Sequence, residues 1–199
     1  MSALPQAAAA LFDEARTHIK WQADRPVSDD DLRAIYDHAK FGPTSANASP
    51  GRFVFVRTEH GKEMLRPALS AGNLEKTMAA PVTVIVAWDP LFYEALPRLF
   101  PQADARAWFA GNEALAEETG FRNSSLQGAY FMLAARAHGI ATTAQAALAH
   151  HARFIRRYFG IGDERKFVCG IGFGYADMTH PANAFRSSRV ATADVMQMV

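Results

Sequence analysis

Pro81-Val-Thr-Val-Ile-Val-Ala-Trp88 decides the fold. Its β-branched residues are apolar on both faces of an extended chain, the pattern of a central strand with a layer packed on each side. Immediately upstream, Asn73-Leu-Glu-Lys76 sets an amide and an ammonium one helical turn apart on one face, at the mouth of that strand. A neutral donor/acceptor beside a cation suits a ligand with both a heterocyclic edge and negative charge. The plainer reading is a solvated turn before a strand. Against it stand Gly42-Pro-Thr-Ser-Ala-Asn-Ala-Ser-Pro50 upstream and Arg186 and Arg189 downstream, which offer complementary chemistry.

Working outward, Arg52-Phe-Val-Phe-Val-Arg57 and Lys166–Phe173 read as further strands, and Thr142–Ala147 as a short strand or loop. Glycines at 170, 172 and 174 permit close backbone approach. The alanine-rich stretch 6–18, with Leu11, Phe12 and Ala15 on one side, predicts a first helix. Ser28-Asp-Asp-Asp31 is a capping-box variant, and Leu32, Ile35, Tyr36 and Ala39 follow at i, i+3, i+4, i+7, so 29–41 is an amphipathic helix stopped by Gly42-Pro43. Short helices are predicted near 60–69, at 104–118 and at 149–159. The longest runs from Phe121 to His138, with Leu126, Ala129, Tyr130, Leu133 and Ala137 as its buried stripe and Gly139 as its C-cap. Strands separated by helices, with no repeat and no linker, predict one α+β domain over 1–199, a sandwich around a small mixed sheet.

Composition narrows the function. The 199 residues carry a net charge of +1 with scattered basic residues, which predicts no nucleic-acid partner. No apolar run approaches the roughly 20 residues needed to span a bilayer, and the N-terminus lacks the basic region of a signal peptide. The expectation is a cytoplasmic protein with no membrane partner. The lone Cys169, in Phe167-Val-Cys-Gly-Ile171, reads as a buried inert thiol. There is no nucleophile elbow, P-loop or paired-histidine zinc helix. Gly170-Ile-Gly-Phe-Gly174 lacks the dinucleotide spacing, and the adjacent His150-His151 is a poor metal pair, so no metal is expected. What remains is dispersed: Arg16 and Thr17 at the end of the first helix, the hydroxyl- and amide-rich loop of Thr44, Ser45, Asn47 and Ser49, and Arg189 in the tail. Each alone is more often structural. Together they read as a divided site for a phosphorylated heterocycle, with arginines for the phosphate and amides for the ring.

The order of these elements resembles the FMN-dependent nitroreductase family. Arg16-Thr17-His18 is similar to that family's N-terminal phosphate-gripping segment, Pro43-Thr-Ser-Ala-Asn-Ala-Ser-Pro50 to its loop after the second helix, and Asn73/Lys76 to its Asn-x-x-Lys pair. Gly172-Phe-Gly-Tyr175 and Arg189 match its C-terminal segment and tail arginine. One branch, the malonic semialdehyde reductases of pyrimidine utilisation, is more closely similar. Lys40-Phe-Gly-Pro-Thr-Ser-Ala-Asn47, Leu65-Arg-Pro-Ala-Leu-Ser70 and Glu117-Glu-Thr-Gly-Phe-Arg-Asn-Ser-Ser-Leu-Gln127 carry that likeness, over roughly 10–138. The last third departs: Thr142-Thr-Ala-Gln-Ala-Ala147 stands where a Gly-Pro-Met segment belongs, and the tail from Arg153 looks more like the nitrobenzoate-reductase type.

The resemblance implies a nitroreductase-like sandwich with a mixed, mostly antiparallel sheet, and an intertwined homodimer binding FMN between its subunits. It implies an NAD(P)H-dependent flavin oxidoreductase, with NADH or NADPH as reductant and no side-chain general acid required. By the same resemblance Arg16 and Arg189 hold the phosphate, Asn73 the pyrimidine edge, Lys76 the N1–O2 edge and Gln145 the N5 region. Thr17, His18, Thr44, Ser45, Asn47 and Ser49 complete the binding set. Arg16, Asn73, Lys76 and Arg189 should then face one shared cavity. The implied small-molecule substrate is a carbonyl compound such as malonic semialdehyde, reduced to 3-hydroxypropanoate. The alternatives are a nitroaromatic or quinone acceptor, or a flavin-binding module without turnover. The aromatic insert Trp88–Trp108 is either a substrate lid or a helix-packing excursion.

Overall fold

A computed structural model describes residues 3–151, 155–156, 159, 161–162 and 165–199. The apolar run before Asp89 is strand β2, Val82–Trp88, and all seven of its residues are buried. It pairs on one side with β1, Gly51–Val56, and on the other with β4, Lys166–Gly174, whose far edge carries β3, Ala141–Gln145. The order β1-β2-β4-β3 is antiparallel at all three ladders. Two layers cover the sheet, as the two-faced apolar run of β2 requires. On one face Val82, Val84 and Val86 pack with Leu32 and Ile35 of helix α2 (Asp29–Ala39) and Phe131 and Ala135 of helix α7 (Glu113–Ala137). On the other, Ile85 packs with Leu65 of helix α3 (Glu59–Leu65), Ala68, Leu148 and Ile155. Each fully buried valine, leucine or isoleucine contributes about 1.5–3 kcal/mol.

Helix α2 begins as its sequence dictates. Ser28 accepts from the Asp31 N–H at 3.0 Å and Asp31 accepts from the Ser28 N–H at 3.1 Å, a closed capping box. Helix α4, Ala71–Ala79, carries Asn73 and Lys76 and delivers the chain into β2. Three expectations change. The first helix is only α1, Ala3–Ala8, continued by a π turn at Ala9–Asp13; Arg16 and Thr17 lie beyond it in extended chain. The helix expected at 104–118 is split into α6, Arg106–Phe109, and the start of α7, because Gly111 turns the chain at φ 86° and Asn112 caps the N-terminus at Glu113. The helix expected at 149–159 lies largely outside the described residues, as do the His150 and His151 side chains.

The buried stripe of α7 is the third change. Leu126 is 41 % exposed and Ala137 is exposed, whereas Asn123, Ser124, Gln127, Gly128, Phe131 and Ala135 face inward. Apolar residues surround this helix, so periodicity alone does not select the buried side. Steric fit and hydrogen bonding select it. Gly120 passes so close to Trp88 that a Cβ would lie 2.3 Å from its ring, and the Gln127 carbonyl oxygen accepts from the Gly51 N–H at 2.7 Å. Between β2 and α7, the insert folds on itself: Trp88, Phe92, Leu96, Ala105, Phe109 and Ala116 form a separate apolar cluster that includes helix α5, Leu96–Leu99. Among the described residues no helix is long and apolar enough to cross a membrane.

Candidate functional site

Sheet register sorts the candidate residues into two ends. Val82 opposes Phe173, which opposes Thr142, and the Thr142 carbonyl accepts from the His18 N–H. The segment 16–21 therefore lies at the Val82 end, where α4 also finishes. Gly51 opposes Trp88, so the 43–50 loop lies at the other end of β2. Six residue steps at about 3.3 Å separate those ends by roughly 20 Å.

At the Val82 end, Arg16 and Thr17 meet Arg186 and Arg189 around a cavity of about 190 Å³. Among the described residues the Arg16 guanidinium donates only to the adjacent Glu14 and Ala15 carbonyls, and that of Arg189 only to Ser187 and Ser188. Among the described residues neither has a carboxylate partner, so three guanidiniums share one small space with their charge uncompensated. Asn73 and Lys76 do not line this cavity. They stand alongside it: the Trp21 indole N–H donates to the Lys76 carbonyl at 2.8 Å, and Lys20 forms an ion pair with Glu75. Both side chains are half-buried on one face of α4, with no hydrogen-bond partner among the described residues. The shared cavity expected for all four residues is thus realised for Arg16 and Arg189, with the amide and ammonium on an adjoining helix.

His18 and Gln145 turn elsewhere. His18 is 5 % exposed, with Nδ1 buried and unpaired among the described residues, and its pKa is lowered by burial first and then by Arg136 and Arg16. It is held as the neutral imidazole and lies outside the Arg16–Arg189 cavity. Gln145 is buried on the sheet face beneath α4, where its oxygen accepts from the Thr77 hydroxyl at 2.9 Å and its nitrogen has no partner among the described residues.

At the Trp88 end, the loop is braced from within. The Thr44 hydroxyl accepts from the Ser49 N–H at 3.1 Å, and the Asn123 carboxamide oxygen accepts from the Ser45 N–H at 2.8 Å. The Asn123 amide nitrogen donates to the Ser45 hydroxyl, and that of Asn47 to the Leu99 carbonyl at 3.0 Å. Ala46, Asn47 and Ser49 adopt φ of 50°, 51° and 43°. Three non-glycine residues in the left-handed region cost about 1–3 kcal/mol each and cluster where a function over-determines the backbone.

Sequence reasoning missed one participant. Lys62 of α3 is 6 % exposed, and its Nζ donates to the Thr77 carbonyl at 2.8 Å and the Thr83 hydroxyl at 2.7 Å, tying the last turn of α4 to β2. Burial pushes its pKa down from 10.5 to about 7. The available signal was Thr83 itself: a hydroxyl in a strand buried on both faces needs a partner.

The fold has close counterparts. The YdfN protein of Bacillus subtilis, described as a nitroreductase, superposes with a TM-score of 0.87 at 19% identity, covering 98% of this chain and 100% of its own. A protein of Exiguobacterium sibiricum described as a nitroreductase and solved in complex with FMN gives 0.82 at 20%, covering 95% of each chain. The FMN-dependent nitroreductase NfnB of Mycobacterium smegmatis, solved in complex with NADPH, gives 0.74 at 21%, covering 98% and 99%. These likenesses define a nitroreductase-like α+β fold. Residues 14–175 match the nitroreductase family, and the chain belongs to it.

Proposed function

We propose that residues 1–199 form one FMN-binding domain that acts, as a homodimer, as an NAD(P)H-dependent oxidoreductase reducing a small carbonyl compound such as malonic semialdehyde. The observation that carries this reading is the 190 Å³ cavity of Arg16, Thr17, Arg186 and Arg189, whose charge and size fit a phosphate group. Arg16 and Arg189 would bind the phosphate, the Asn73 carboxamide would orient the ring by its pyrimidine edge, and the Lys76 ammonium would place positive charge beside it. FMN, when bound, accepts hydride from NADH or NADPH and delivers it to the acceptor.

The dimer supplies what one chain separates. Thr44, Ser45, Asn47 and Ser49 stand about 20 Å along β2 from the cation cavity, so they reach a flavin held there only as the loop of a second copy. The exposed apolar residues Phe121 and Leu126 of α7, and Phe185, Val190 and Met198 of a fully exposed tail, offer the surface such a partner would cover. Because Asn47 binds Leu99, the aromatic insert travels with the loop and would lie over the partner's flavin. There a cavity of about 590 Å³ lined by Trp88, Tyr93 and Phe109 favours a second reading, a flat nitroaromatic or quinone acceptor.

The test is an anaerobic titration of the purified protein. Yellow protein bleached by NADH or NADPH and reoxidised fastest by malonic semialdehyde supports the leading reading. Faster reoxidation by a quinone or nitroarene selects the second. Yellow protein that neither nucleotide bleaches is a binding module, and colourless protein unaffected by FMN removes the flavin reading.

A further inference from the structure

A second cationic cavity, of about 600 Å³, shares Arg16 with the first but is otherwise built from Arg25, Arg136, His18 and the apolar surfaces of Ile140 and Tyr175. Arg25 lies 3.4 Å over the Tyr175 ring, which holds its guanidinium flat. The Arg136 Nε donates to the Ala10 carbonyl, fixing the fork, while its two terminal nitrogens have no partner among the described residues. Among the described residues, none of Arg16, Arg25 and Arg136 forms an ion pair. Asp31 feels the charge of Arg25, but its carboxylate is taken by the N–H and O–H of Ser28. Glu14 is the single carboxylate in the lining, so three guanidiniums leave an excess of two positive charges at neutral pH. His18 adds a buried, unpaired Nδ1 to the same wall.

We propose that this cavity is a second ligand site that binds a phosphomonoester, distinct from the pocket of Arg16, Arg186 and Arg189. Arg16 is shared with the first pocket, so with that pocket filled Arg25 and Arg136 against Glu14 still leave one positive charge for a phosphate group to balance, and planar guanidiniums match phosphate oxygens two at a time. The cavity is larger than a bare phosphate requires, and its apolar wall accommodates an organic body. The proposal stands apart from the flavin reading, because its residues other than Arg16 and His18 have no place in that reading and the measurement runs on protein with or without FMN.

The experiment is isothermal titration of FMN-treated protein with inorganic phosphate and with 5′-AMP, at matched ionic strength. One site per chain is expected, with 5′-AMP tighter than inorganic phosphate. Arg25→Gln and Arg136→Gln should each weaken 5′-AMP binding about tenfold or more while the flavin-to-protein ratio stays unchanged. Arg25 is exposed, so Arg25→Gln keeps the test valid should Arg136→Gln fail to fold. No saturable binding, equal affinity for the two anions, or affinity unmoved by Arg25→Gln would overturn the proposal. Loss of FMN in parallel with 5′-AMP would also overturn it, by making the cavity part of the cofactor site.

Discussion

Replacing Lys62 by methionine should abolish a pH dependence of stability that the wild-type chain carries. Above pH 10.5 the lysine is neutral in both folded and unfolded chains, and burying it costs no ionisation energy. Between 10.5 and about 7 the unfolded chain binds a proton that the folded chain does not, so stability falls as pH falls through that window. Below about 7 both states carry the proton and the loss is complete. At about 1.36 kcal/mol for each pH step, the full window amounts to about 5 kcal/mol. Lys62→Met removes that term but leaves the Thr77 carbonyl and Thr83 hydroxyl without their donor, at about 1–3 kcal/mol each. The variant should therefore be as stable as the wild type or more so near pH 7, and less stable near pH 10. Denaturant unfolding of both proteins at pH 7.5 and 9.5 reads the effect directly, because every other titrating group cancels in the difference. That difference should change by about 2.7 kcal/mol between the two pH values. Parallel pH profiles, agreeing to within about 0.5 kcal/mol, would show that Lys62 keeps an ordinary pKa and would refute the reasoning.

Three further outcomes are expected. Gly120→Ala places a Cβ against a Trp88 ring that has no room to retreat; despite a gain of about 1 kcal/mol in helix propensity, it should cost about 1–3 kcal/mol and lower the melting temperature by several degrees. Cys169, pushed up to about 11 by burial, should stay unmodified by a thiol reagent at pH 8 in folded protein and react fully after denaturation. If the proposed homodimer uses the exposed apolar residues of α7, Phe121→Glu with Leu126→Glu should give a monomer by gel filtration with native far-ultraviolet circular dichroism; retention of a dimer would place the subunit contact elsewhere.

Much of this architecture is legible in the residues because it rests on local chemistry. The two-faced apolar run of β2, the Ser28 capping box and the stop at Gly42-Pro43 each act within a few residues, and each lies where the pattern puts it. The failures are places where distant partners decide. Leu126, Ala129, Tyr130, Leu133 and Ala137 form a plausible stripe on α7, but Trp88 and the Gly51 N–H, remote in sequence, select the face bearing Gly120 and Gln127. For the site, residue types and spacing on one element were readable, as with Asn73 and Lys76. The side-chain directions of His18 and Gln145 were not, since they depend on Arg136, Thr142 and Thr77 meeting them across the fold. Lys62 was hidden for the same reason: a lysine in a short helix reads as solvated until Thr77 and Thr83 are seen above it.

The polar inward face of α7 has a cost that needs a reason. A helix packed on a sheet gains most by burying leucines, yet α7 turns Asn123, Ser124 and Gln127 inward and leaves Leu115, Phe121 and Leu126 outside. Asn123 and Gln127 are spent on the backbone N–H groups of Ser45 and Gly51, the two ends of the loop in which Ala46, Asn47 and Ser49 hold left-handed conformations. Without those carboxamides the loop would relax, because strain of about 1–3 kcal/mol per residue persists only where neighbours fix the backbone. A chain selected for stability alone would have an apolar α7 and a glycine-bearing loop. This one keeps a strained loop, a polar brace beneath it and exposed apolar residues on the flanks of the brace. That combination makes α7 the element that holds the loop in shape.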